Sequence, residues 1–369
     1  VVWLWEAIAD HYRDNPHVAG YNPVNEPADP TGERVGPFYA RLERAIRAVD
    51  PRHVLFLDGN RYASDFSAFT DPLPNTVYAT HDYALPGIAA DGVYPGVTRG
   101  EYVDAEVLER TFLRRTEYMR RTGTPVWIGE FGPIYTGDPH RDAARDQLLR
   151  DQLAIYRAHG ASWSLWTYKD IGVQGLVTTA ADCAWLRRTA AVRATKARLG
   201  VDAWGGTDDG VRHLLDPIEQ LFDEQFPDFH PYPWGRAAWI RLLVRNIMLA
   251  EPLVEAFGHC FDGVAPEEAE AMADGFAFAH CVPRATLAAT LRDHAGADAA
   301  GRVEFRLPAR AHRFRADYLG AQYFSAQITL LADEVNPIPI STGGGAVQLT
   351  VTNGSAGAVA GASCHLFNG

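Results

Sequence analysis

Residues 125–132 read Pro-Val-Trp-Ile-Gly-Glu-Phe-Gly. The run 125–129 has strand composition and stops on a carboxylate, Glu130, where a strand would hand over to a loop. Residues 18–24, Val-Ala-Gly-Tyr-Asn-Pro-Val, end in the same way on Asn25-Glu26-Pro27. Three more β-rich runs lie at 53–58, 76–81 and 162–167. Helix-like stretches fall near 2–14, 34–49, 104–122 and 141–159, with another over about 182–199. Gly123 and Gly160 stand just past two of them, where a helix stop is expected. Strands alternating with helices predict an α/β fold, a parallel sheet with helices outside it.

In a parallel α/β barrel the reactive groups sit at the C-terminal strand ends. Side-chain alternation along 125–130 places Val126, Ile128 and Glu130 on one face and Trp127 on the other. Glu130 is therefore expected to face the site, with Trp127 packed under the helices. His81 and Tyr83 share a face at the end of the third run, as do Ser164 and Trp166 in the last. Two Glu residues on separate strands suit glycoside hydrolysis, one protonating the leaving oxygen and one attacking the anomeric carbon. Trp166 offers an indole face to a sugar ring. Each residue also has a plainer reading: a capping carboxylate for Glu26 or Glu130, a buried structural histidine for His81, a turn residue for Asn25, core packing for Trp166.

Taken together, Asn25-Glu26-Pro27, His81-Asp82-Tyr83, Gly129-Glu130-Phe131-Gly132 and Trp163-Ser164-Leu165-Trp166 stand in the order and spacing of glycoside hydrolase family 5. Over about residues 1–200 the chain resembles this cellulase-like family of retaining (β/α)8 enzymes. The resemblance implies a partial TIM barrel, strands four to eight. It implies Glu26 as acid/base on the fourth strand and Glu130 as nucleophile on the seventh. Asn25 would bond the sugar 2-hydroxyl, His81 and Tyr83 would form the sixth-strand pair, and Trp166 would be the eighth-strand platform. The implied activity is hydrolysis of a β-linked glycan by double displacement, with no cofactor and no metal. Glu26 is expected to be kept protonated by the negative nucleophile beside it. Lys169, in the loop 169–172, is expected to touch the leaving group or the neighbouring sugar. Loops 84–103 and 131–142 are expected to set specificity. The family's first three strands, which carry an Arg and a His of the site, have no counterpart before residue 18. The rival reading is an inactive fragment or a non-catalytic carbohydrate-binding protein.

The 369 residues are 47% hydrophobic and 22% charged, which excludes a disordered chain. No run reaches the roughly 20 apolar residues of a membrane span. The net charge of -12, without a basic run, argues against a nucleic-acid partner. Four cysteines are too few for a disulfide scaffold and leave one bridge or none. His259-Cys260 and His280-Cys281 invite zinc, but adjacent residues on a helix diverge and chelate poorly. Residues 1–9 read as the start of a helix and show no leader, so secreted and cytoplasmic locations both stay open. A polar break at 200–210 precedes helical patterning over 211–296; from about 300 the composition turns to β, at 302–306, 323–332 and 346–352. The expected division is a partial barrel over 1–200, a helical extension over 201–300 and a β-rich tail over 301–369. The extension is expected to buttress the barrel, with Arg236, Trp239 and Arg241 available to line an interface. Gly343 to Gly345 read as a turn, and Asn353-Gly354-Ser355 as a glycosylation acceptor only in a secretory context.

Overall fold

The computed structural model describes residues 1–201, 207–232 and 234–294, and short backbone strands between 311 and 368. The chain divides into two compact units, Val1–Ala285 and Thr286–Gly369. Strands of the first unit are, in chain order, β1 Gly20–Tyr21, β2 Val54–Asp58, β3 Thr76–His81, β4 Gly96–Thr98, β5 Glu101–Val103, β6 Val126–Glu130, β7 Ser162–Trp163, β8 Lys169–Asp170, β9 Val177–Thr179 and β10 Cys281–Pro283. Five of them, β1, β2, β3, β6 and β7, form a single sheet in that order, every pair parallel.

Local sequence sets the connections. Helix Val35–Val49 buries Val35, Tyr39, Leu42 and Ile46, a stripe at helical spacing. That stripe packs on Leu55, Leu57 and Tyr78 from one face of the sheet. Asp104 caps helix Ala105–Arg115 by accepting from the Val107 backbone. Asp138 does the same for Pro139–Ala158, accepting from the His140 and Arg141 backbones, with Pro139 in the first turn where its missing N–H costs nothing. Gly123, at φ 71°, ends helix Glu117–Thr122 in the left-handed region, as its position predicts.

The other face of the sheet carries Phe56, Asp58, Ala79, His81 and Trp127, which line a cavity. This reverses the expected orientation of Trp127: Val126 packs on the helix-side core instead, and Trp127 meets Phe56 edge-on at 5.6 Å. The register shows why. Ala79 pairs with Trp127 and Thr80 with Ile128, but His81 pairs with Glu130, so Gly129 is an extra residue in β6. One inserted residue shifts the alternation by one position. Trp127 and Glu130, three apart, therefore reach the same cavity. A Cβ on Gly129 would lie 3.0 Å from His81 Nε2, so the residue at the slip must be small.

The region beyond residue 200 enters the first unit, and its strand β10 extends a separate three-stranded sheet, β10-β9-β8. Helices Arg212–Gln225, Arg236–Leu243, Glu251–His259 and Pro266–Asp274 belong to the first unit. Within it β10 pairs antiparallel with β9. The division between units thus falls at Ala285/Thr286, not at the expected 200 and 300. Arg236 and Arg241 are spent inside this region, bonding Asp223 and Glu219, and Trp239 packs edge-on against Phe222 and Phe229. In the second unit Val335–Ser341 and Ala346–Thr352 form an antiparallel hairpin. Residues 302–306, Gly343 to Gly345, Asn353 to Ser355 and Cys364 lie outside the described residues. Among the described residues no helix is long and apolar enough to cross a membrane.

Candidate active site

Glu26 follows β1, and its backbone takes a left-handed φ of 49°, a conformation that costs an L residue energy and must be held from outside. Asp58 at the end of β2 holds it, accepting from the Glu26 backbone N–H at 2.9 Å. Asp58 is 1% exposed and also accepts from Asn22 Nδ2 at 2.8 Å. Across the sheet, His81 ends β3 with Nδ1 2.6 Å from Glu26 Oε1 and Nε2 3.5 Å from Asp58 Oδ2. The Tyr83 hydroxyl donates to Glu130 Oε2 at 2.9 Å, and His81 Nδ1 lies 3.5 Å from that oxygen. One imidazole thus sits against three carboxylates.

Burial and charge set the protonation. Burial raises the pKa of Glu130, and the charges of Glu26 and Asp58 raise it further; His81 and the Tyr83 hydroxyl pull it down, without cancelling the rise. Burial opposes a charged His81, but its hydrogen bond to Glu26 and the charges of Asp58 and Glu130 outweigh that and raise its pKa. Burial likewise raises Asp58, against the Glu26 N–H, His81 and Asn22, which favour its anion. Glu130, the carboxylate expected to attack, is thus shifted upward together with Asp58.

A further layer fixes the strand ends. Asp82, buried, takes the Glu130 carbonyl through its N–H at 2.8 Å and accepts the Tyr156 hydroxyl at 2.8 Å. Arg115 pairs with the same carboxylate, and Gln152 donates to the Asp82 carbonyl at 2.6 Å. Arg145, 1% exposed, ties the loops after β3 and β6 by donating to the Ala89 and Ile134 carbonyls.

Of the residues expected from sequence, Glu26, His81, Tyr83 and Glu130 meet in one bonded group. Asn25 is exposed and lines the cavity of about 390 Å³ beside them. Trp166 is 47% exposed just past β7, its backbone N–H donating to the Phe131 carbonyl at 2.9 Å, and is not among the cavity's walls. Lys169 points elsewhere: its ammonium donates to the Phe276 carbonyl, so it serves as a tie to the helical region. Asp58, Asn22 and Trp127 belong to the cavity and were not expected there. The one available signal for Asp58 was a charge closing the apolar run Val-Leu-Phe-Leu.

Glu26, His81 and Glu130 each bring one donor atom within 4.8 Å of the others, a spacing that a cation could also use. In this arrangement the His81 and Glu26 atoms are bonded to each other and Glu130 to Tyr83, so each has a protein partner. Cys183, Cys260 and Cys281 are free thiols. His259 turns to Asp262 at 2.7 Å and His280 to Asp274 at 3.0 Å, so neither His-Cys pair is assembled as a chelate.

With this geometry in place, the chain can be set beside known proteins. The family model for cellulase, glycosyl hydrolase family 5, matches residues 2–172. A β-xylosidase of Phanerodontia chrysosporium is 41% identical over 320 residues, 82% of this chain and 66% of that protein. This chain therefore spans about two thirds of its relative's length. Among solved structures, endoglucanase Cel5A of Thermotoga maritima is 20% identical with a TM-score of 0.40, over 47% of this chain and 59% of that one. The cellulose synthase subunit Z of Clostridioides difficile is 15% identical with a TM-score of 0.40, over 47% and 61% of the two chains. By its motifs, its family-model match and its relative, this chain belongs to glycosyl hydrolase family 5 through residues 2–172.

Proposed function

We propose that the chain carries the catalytic carboxylates of a retaining β-glycosidase, on a sheet that supplies strands four to eight of a (β/α)8 barrel. The observation that carries this reading is the spacing of Glu26 and Glu130. Glu26 lies in the loop after β1 and Glu130 ends β6, yet they offer oxygens within 4.8 Å of each other. Double displacement uses a gap of about 5–5.5 Å, whereas inversion needs roughly 6.5–9.5 Å for an intervening water.

In this reading Glu130 attacks the anomeric carbon while Glu26 gives its proton to the departing oxygen. The glycosyl ester on Glu130 is then hydrolysed by water, whose proton goes back to Glu26. The Tyr83 hydroxyl orients the attacking carboxylate, and His81 holds Glu26 toward the bond. Asn25 reaches the 2-hydroxyl, and Trp166 supplies a face for the sugar. None of these steps calls for a cofactor. The name of its β-xylosidase relative supports trying β-xylosides beside β-glucosides as first substrates. Proton NMR of early product from the full-length protein tests the mechanism: the β-anomer appears first, and initial α-anomer would overturn retention.

The electrostatics give a second expectation. Glu130 must be ionised to attack, and the Tyr83 hydrogen bond lowers its pKa. Tyr83→Phe removes that bond, so the pKa rises and activity is lost at higher pH on the acid side. A bond to a charged group worth ~1.4 kcal/mol moves the limb by about one pH unit. An unmoved or lowered acid limb would mean that the hydroxyl does not stabilise the Glu130 anion.

A further inference from the structure

We propose that Tyr62, Tyr232 and Trp234 form a binding site for a leaving sugar, on the acid/base side of the cavity. The site is built jointly by the turn after β2 and the segment following helix Arg212–Gln225, and it rests on Glu26 being the acid/base.

The turn is unusual. Arg61, Tyr62 and Ala63 have φ of 52°, 58° and 57°, three successive L residues in the left-handed region. Each such residue costs roughly 1–2 kcal/mol, so the surroundings must impose it. Several bonds do so, and all lead to the Glu26 loop. The Tyr62 N–H donates to the Pro27 carbonyl at 3.1 Å. The buried Asn60 side chain accepts from the Asp29 N–H at 2.8 Å and donates to the Asp29 carbonyl at 2.9 Å. The strain thus presents Tyr62 at a fixed place beside the loop that carries the acid/base.

From the other side, residues of the helical region meet it. The Tyr62 and Tyr232 hydroxyls bond each other. The Trp234 indole stacks on the Tyr62 ring at 5.9 Å and 18°, yet stays 52% exposed. Stacking covers one indole face and leaves apolar surface open. Between them the two phenols hold two hydroxyl hydrogens, and their mutual bond uses one. A flat apolar face with a donor at its edge matches a pyranose, which has an apolar face of C–H groups and a rim of hydroxyls. Glu26 protonates the leaving oxygen, so the group beyond that oxygen lies on the Glu26 side; Tyr62 bonds the loop that carries Glu26, and the Glu26 charge acts on the Tyr232 hydroxyl. A sugar, and not an alkyl chain, is the occupant that uses both the face and the hydroxyl edge. The helical region then has a role beyond support: it supplies two of the three residues.

The test compares two leaving groups in the full-length protein. Fluoride is too small to touch the wall, so β-glucosyl and β-xylosyl fluorides report the catalytic carboxylates alone. Cellobiose and xylobiose report the wall as well. Trp234→Ala is expected to lower kcat/KM for the disaccharide about tenfold and leave the fluoride within about twofold. Trp234→Phe, which keeps a flat face, is expected to retain most of the disaccharide activity. Equal loss on both substrates, or no loss on the disaccharide, would overturn the proposal while leaving the glycosidase reading intact. Loss confined to an octyl β-glycoside would overturn the sugar assignment in favour of an apolar aglycone. Wild-type protein that cleaves neither fluoride nor disaccharide would sink the glycosidase reading and this one with it.

Discussion

Glu130→Gln is expected to lower kcat for aryl β-glycosides on the order of 10⁴-fold or more, with little change in substrate binding. An amide is nearly isosteric with the carboxylate but cannot form the glycosyl ester, so the covalent route closes. The amide oxygen still accepts from Tyr83, which donates at 2.9 Å in the wild type, so the cavity should persist. Stability is expected to hold or rise. Burial and neighbouring charges raise the pKa of Glu130, so its anion is strained at neutral pH and a neutral amide relieves it. Near-wild-type hydrolysis by Glu130→Gln would remove this residue from the chemistry.

Glu26→Gln is expected to behave differently, and the difference identifies its role. For a leaving group that needs a proton, kcat/KM should fall roughly 10²–10⁴-fold, the usual contribution of general acid catalysis. For a glycosyl fluoride or dinitrophenyl glycoside the first step should be nearly unimpaired, because those groups leave without protonation. The second step then loses its base, the glycosyl enzyme accumulates, and steady-state turnover follows a burst. Azide, which attacks without losing a proton, should restore turnover and release the β-glycosyl azide. Equal loss on every substrate, without a burst or rescue by azide, would show that Glu26 is not the acid/base. Some loss could also pass through His81, whose Nδ1 bonds Glu26 at 2.6 Å. Azide rescue separates the two effects, since an anion in place of the carboxylate helps only if the missing group acted on water.

Much of this arrangement was legible because its signals are local. The runs 53–58 and 76–81 became β2 Val54–Asp58 and β3 Thr76–His81, and Glu130 ends β6, whereas the run 18–24 is strand only over Gly20–Tyr21, so Glu26 lies in the loop beyond it. Trp127 was misread because strict alternation assumes an unbroken ladder. The slip at Gly129 arises from its pairing with β3, and pairing is not written in either strand alone. Asp58 was passed over because a lone charge after an apolar run reads as a strand stop. Its role appears only when the Glu26 backbone, Asn22 and His81 converge on it. Lys169 looked free to reach a sugar because its partner, the Phe276 carbonyl, is more than a hundred residues away in sequence. The contacts of Tyr232 and Trp234 with Tyr62 are invisible for the same reason: residues so far apart in the chain share no local pattern.

The most direct test is covalent capture. The full-length protein is treated with 2-deoxy-2-fluoro β-glucosyl and β-xylosyl fluorides, which form the glycosyl ester readily and release it slowly. Peptide mass spectrometry then locates the label. One glycosyl group on Glu130, absent from Glu130→Gln and lost again with regained activity, is the predicted result. A label on Glu26 or another residue, or full turnover with no captured ester, would contradict the central claim.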